Sequence, residues 1–163
     1  MNNILEYLNE NLRRLVGERF IGVNVGGCGV FAYLLARELQ AVGIEFTIAW
    51  LESDTTDERF FEAISNAKKN NGGNYTLRDL NSEGIWCSHV MLMVGDKLVD
   101  CKGTFDNMND AGWWNRVQVN GMELNDLRQL AMNEEGWNTS FDREQIPEME
   151  KSIRNIVQDL DIK

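Results

Sequence analysis

Two strand-like segments, residues 88–94 and 97–102, are separated only by Gly95-Asp96. Two residues cannot make the crossover that parallel strands need, so these segments pair as an antiparallel hairpin. A two-residue turn sets Val94 opposite Lys97, Met91 opposite Asp100 and His89 opposite Lys102. Side chains alternate faces along a strand, which puts His89, Met91, Asp100 and Lys102 on one face. His89 and Asp100 then become diagonal neighbours, within reach of each other for long side chains.

The segments before the hairpin read as helices. Ile4, Leu5, Leu8, Leu12, Leu15 and Val16 recur at helical spacing, with Gly17 closing the run. A short apolar stretch, residues 20–25, leads into Gly26-Gly27-Cys28-Gly29. A second helix follows, with Cys28, Phe31, Leu35, Leu39 and Val42 on one face, Arg37, Glu38 and Gln40 opposite, and Gly43 at its end. Residues 44–51 alternate as a half-buried strand, Ile44, Phe46, Ile48 and Trp50 against Glu45 and Thr47. Thr55-x-x-Glu58 is a capping box for a third helix with the stripe Phe60, Phe61 and Ile64, ending at Gly72-Gly73. A polar loop then leads to the hairpin. Beyond it the pattern predicts a strand around 116–119, a helix around 124–132 and a last helix after Pro147, the only proline. Helices followed by antiparallel strands define an α+β fold. The length, 163 residues, suits a single domain spanning 1–163.

Sixteen basic residues against twenty-six acidic ones give a net charge of −10. Such a balance argues against nucleic-acid or anionic-membrane partners, which need a basic face. No apolar run approaches the ~20 residues of a membrane span, and residues 1–7 lack a signal-peptide pattern. Three cysteines and a single histidine, with no Cys-x-x-Cys, make a zinc site implausible and fit free thiols in the cytoplasm.

Cys28 opens an amphipathic helix, where unpaired N–H groups and the positive end of the helix dipole favour the nucleophilic thiolate. The glycines at 26, 27 and 29 leave room for a substrate backbone to approach. His89 supplies a base, and Asp100, sharing its face, can accept the imidazole N–H and fix the tautomer. Singly these are a core cysteine, an ordinary histidine and a solvated aspartate; together they form a Cys-His-Asp set for nucleophilic catalysis.

Gly27-Cys28-Gly29-Val30-Phe31-Ala32, then Ser88-His89-Val90-Met91-Leu92 and Lys97-Leu98-Val99-Asp100-Cys101-Lys102-Gly103, resemble the papain-like cysteine peptidase superfamily in its broad sense. The likeness is nearest to its compact transglutaminase-like and bacterial or phage branches, and covers residues 20–103 loosely. It implies a core in which N-terminal helices, one with the nucleophile at its tip, pack on an antiparallel sheet. By the resemblance Cys28 is the nucleophile, His89 the general base and acid, and Asp100 the orienting carboxylate. Papain-like peptidases proper carry an oxyanion-hole glutamine several residues before the cysteine; here Asn24, four residues upstream, is the nearest amide and the candidate donor. Gly29 and Val30 also replace the usual residues after the cysteine, a departure that bears on substrate specificity more than on chemistry.

The expected activity is a cysteine hydrolase cleaving an amide, peptide, isopeptide or ester bond through a Cys28 thioester. It needs no cofactor and acts on a peptide or protein substrate. A deamidase, an acyl transferase or a non-catalytic protein-binding module on the same scaffold are the alternatives. Trp113-Trp114 are read as core packing in preference to a substrate groove, Cys87 and Cys101 as packing residues, and the acidic C-terminal helix with Glu148, Glu150 and Asp159 as a solvated face.

Overall fold

The computed structural model describes residues 2–160; the outermost residues of the expected 1–163 domain lie outside this range. Six α-helices and five strands follow in the order α1 (Asn2–Leu12), α2 (Cys28–Ala41), β1 (Thr47–Glu52), α3 (Asp57–Asn70), α4 (Leu77–Ser82), β2 (His89–Val94), β3 (Lys97–Asp100), β4 (Gly103–Phe105), β5 (Val117–Asn120), α5 (Leu124–Met132) and α6 (Ile146–Gln158). The strands form one open antiparallel sheet in the order β4-β3-β2-β1-β5. The fold is α+β. No helix among the described residues is long and apolar enough to cross a membrane.

The hairpin has the expected register, with Val94 opposite Lys97 and Leu92 opposite Val99. Gly95 takes φ +62° and Asp96 stays at negative φ, the pattern of a II′ turn. The third strand stops at Asp100, however, not at Lys102. Cys101 and Lys102 form a turn into β4, which the sequence pattern does not reveal because it is only three residues long. Lys102 therefore leaves the shared face, while His89 and Asp100 keep theirs.

Helix α2 is buried nearly all round from Cys28 to Ala36; of its expected polar face Glu38 is buried, Arg37 half-buried and Gln40 exposed. The cover is α6, which buries Met149, Ile153, Ile156 and Val157. Arg37 bonds Glu150 at 2.9 Å, and Arg154 reaches buried Glu38 at 3.5 Å. The C-terminal helix is thus amphipathic: its apolar stripe is a wall of the core, while Glu148 and Asp159 are exposed on the expected solvated face and Glu150 is half-buried. The sheet packs α2 against Ile48, Trp50, Val90, Leu92 and Val99 on one side. Its other side carries a smaller cluster of Ala49, Leu51, Met91 and Leu98, covered by Phe105, Met108 and Trp113.

Two local starts differ from expectation. Thr56, not Thr55, caps α3, its hydroxyl accepting from the Arg59 N–H at 3.2 Å. The expected polar loop contains α4, opened by a reciprocal capping box of Thr76 and Asp79. With Asp instead of Glu or Gln at its third position, and only six residues long, α4 gives little periodicity to read. Gly17 ends a π-helical turn after α1 and serves close approach: a Cβ there would stand 2.2 Å from the Cys101 carbonyl oxygen.

Candidate active site

The predicted residues converge where the N-terminus of α2 meets the start of β2. Gly27 is the N-cap and Cys28 the first helical residue. The N–H groups of a first helical turn have no intrahelical acceptor, so they face outward at the tip beside the sulfur. β2 begins with His89, held opposite Leu51 of β1. His89 Nε2 and Asp100 Oδ2 are 2.9 Å apart. Asp100 Oδ1 accepts from the Lys102 N–H at 2.6 Å, so the turn after β3 locks the carboxylate against the ring. All three are buried, with 5% of Cys28, 1% of His89 and 2% of Asp100 exposed.

With Nε2 on Asp100, the other ring nitrogen, Nδ1, has no partner of hydrogen-bond geometry among the described residues. The ring interacts with the Cys28 sulfur, and Nδ1 is the nitrogen left for it. Burial by itself would lower the imidazole's proton affinity. The Asp100 hydrogen bond and the Cys28 sulfur outweigh burial and raise it to about 9.

Cys28 is held well below an ordinary thiol. The largest cause is a hydrogen bond from the Cys87 thiol; burial opposes it, and His89 adds to it. Cys87 moves the other way, raised well above the usual range by burial first and then by the Cys28 sulfur, so it remains a protonated donor. Cys87 is therefore a site residue, not a packing residue. Its segment is pinned to the end of β1: Ser88 N–H donates to the Leu51 carbonyl at 2.8 Å, and Trp86 N–H to buried Glu52 at 3.2 Å. The sequence signal for this pinned segment was Glu52, the one charged residue in β1.

Trp113 stacks on the His89 ring, centroids 4.7 Å apart and planes 16° from parallel. It also lines a cleft of about 320 Å³ at Cys28, whose other walls include Asn24, Cys87, Leu77, Trp137 and Asn138. It thus packs and lines the site at once, whereas Trp114 is 66% exposed. No charged side chain lines this cleft among the described residues, so it suits an uncharged group despite the acidic surface. Nor do the described residues include three or more metal-ligating side chains grouped to hold an ion.

The glycines around Cys28 accommodate the chain itself rather than a substrate. A Cβ on Gly26 would stand 2.1 Å from the Asn138 oxygen, one on Gly27 2.6 Å from the Phe141 ring, and one on Gly29 2.9 Å from Trp137. The segment from Trp137 to Phe141 is thereby packed against the helix tip, with Trp137 Nε1–H donating to the Leu130 carbonyl at 2.8 Å. Asn24 lines the cleft, and its Oδ1 accepts from the Cys101 thiol at 2.8 Å.

Compared with protein-family models, curated proteins and solved structures, the chain matches none.

Proposed function

We propose that the protein is a cysteine hydrolase of papain-like type, cleaving an amide, peptide, isopeptide or ester bond. One observation carries the reading: a buried imidazole bound through Nε2 to Asp100 at 2.9 Å, its other nitrogen left for a sulfur at a helix tip. Between the depressed range of Cys28 and about pH 9 the pair favours thiolate and imidazolium, the reactive state of such a site.

In the proposed reaction the Cys28 sulfur attacks the carbonyl carbon, and the carbonyl electron pair moves to oxygen. The backbone N–H of Cys28 and the amide of Asn24 hold the resulting oxyanion. The imidazolium gives its Nδ1 proton to the leaving amine or alcohol as that bond breaks, leaving a thioester on Cys28. His89 next takes a proton from water, whose oxygen attacks the thioester. The acid departs and the thiolate returns. Deamidation is the same sequence on a carboxamide, and transfer replaces water with another acceptor.

The test uses p-nitrophenyl acetate with mass spectrometry, together with iodoacetamide at mildly acidic pH. The expected results are a burst of p-nitrophenol, an acetyl group on Cys28, and selective alkylation of Cys28 that Asp100 and His89 variants slow. Alkylation of Cys28 with the titration of an ordinary thiol near ~8.5, unaffected by His89→Ala, would refute the reading and leave a non-catalytic binding module.

A further inference from the structure

The Cys101 thiol is 1% exposed and bonds Asn24 Oδ1 at 2.8 Å. Burial, and next the negative charge of Asp100, push this thiol well up, so it stays an S–H donor throughout the working range. Its position is set from two sides. Gly17 packs directly on its carbonyl oxygen, and the turn between β3 and β4 places it one residue after Asp100. Alternation turns Asp100 toward the face of Met91 and Leu98, and Cys101 toward the α2 core.

A carboxamide has two ends of nearly equal size and opposite polarity. At the cleft wall the NH₂ end of Asn24 would stabilise an oxyanion, whereas the oxygen end would repel it. A permanent donor on Oδ1 removes that ambiguity and leaves Nδ2 as the end available to the cleft. We propose that Cys101 is a positioning residue: its S–H fixes the polarity of Asn24 as the second oxyanion donor. The inference rests on the reading of Cys28 as an acyl nucleophile. It gives a buried cysteine outside the Cys-His-Asp set a defined part in the chemistry.

The experiment is a double-mutant cycle on the full chain, reading the acylation rate constant and the apparent Kd for p-nitrophenyl acetate in the burst phase. Alkylation of Cys28 by iodoacetamide at pH 6 is the control, because that displacement forms no oxyanion. Asn24→Ala is expected to slow acylation by about 10²-fold and Cys101→Ala by about tenfold, with Kd unmoved, as loss of one hydrogen bond predicts. Cys101→Ser, which restores a donor, recovers most of the rate. In the Asn24→Ala background Cys101→Ala has no further effect. Asn24→Asp, which keeps the shape but turns a negative oxygen to the cleft, acylates more slowly than Asn24→Ala.

Acylation by Cys101→Ala at the full rate, multiplication of the two effects in the double variant, or Asn24→Asp faster than Asn24→Ala overturns the assignment. Normal alkylation in these variants shows that the nucleophile reading survives such a failure. Absence of an acetyl-Cys28 burst in the unaltered protein overturns both.

Discussion

The indole of Trp113 covers the imidazole of His89 face to face, centroids 4.7 Å apart. The stack screens the 2.9 Å His89–Asp100 bond from water, and an imidazolium against an aromatic face gains about 0.5–2 kcal/mol. Trp113→Ala is expected to slow acylation roughly tenfold and to broaden the downfield proton resonance of His89 Nε2–H through exchange with solvent. Trp113→Phe keeps most of both. A resonance equally sharp in Trp113→Ala would show that the indole does not shield the bond.

Asp100→Asn removes the charge that holds His89 up. The imidazole is expected to titrate below about 9, and acylation to fall by about 10⁴-fold, the size of effect seen when a triad carboxylate is neutralised. The sign for stability follows from the raised value. A histidine raised on folding stabilises fully below its ordinary value near 6.5, and the contribution fades as pH rises through about 9. Urea unfolding should therefore separate the native protein from Asp100→Asn at pH 6 and bring them closer at pH 10.

Cys87→Ala takes away the largest influence holding Cys28 down. The Cys28 thiolate should then titrate at higher pH, so alkylation at pH 5–6 slows while alkylation above pH 9 changes little. In the unaltered protein the acylation rate against pH is a bell: its acid limb follows the Cys28–His89 pair and its alkaline limb falls near pH 9. Cys87→Ala moves the acid limb upward and narrows the bell. Iodoacetamide kinetics across pH follow the shift of the acid limb, and the acylation rate across pH gives the bell itself.

Gly26 has φ +92°, and a side chain there would run into the Asn138 backbone. Gly26→Ala combines a left-handed backbone cost of about 1–2 kcal/mol with displacement of the segment that carries Trp137 and Phe141. A lowered Tm and weaker Cys28 alkylation are expected. By contrast, Gly72→Ala, at φ +63° with open space around it, incurs the backbone cost alone and leaves alkylation unaffected.

Much of this arrangement was legible along the chain because it depends on local chemistry. The two-residue turn dictates the hairpin register, and that register places His89 and Asp100 on one face. The Gly-Gly-Cys start of an amphipathic helix likewise predicts a sulfur at the tip. Less legible were Lys102, lost from the face because three residues of β4 end the strand early, and α4, too short for a periodic stripe. Cys87, Cys101 and Trp113 read as packing because their partners are Cys28, Asn24 and His89, and each of those contacts spans more than twenty residues.

What the amino-acid order determined by itself were the elements, their faces and the antiparallel pairing, since periodicity, capping and turn length act within a few residues. What only the tertiary structure decided was which groups donate and which accept at the site. Against the effect of burial, the Cys87 thiol makes Cys28 a weakly basic sulfur, and Asp100 with the Cys28 sulfur makes His89 a strong base; burial itself keeps Cys87 and Cys101 persistent thiol donors. Desolvation and charge act through space over a few ångströms, and three-dimensional packing alone brings those charges and thiols within that range.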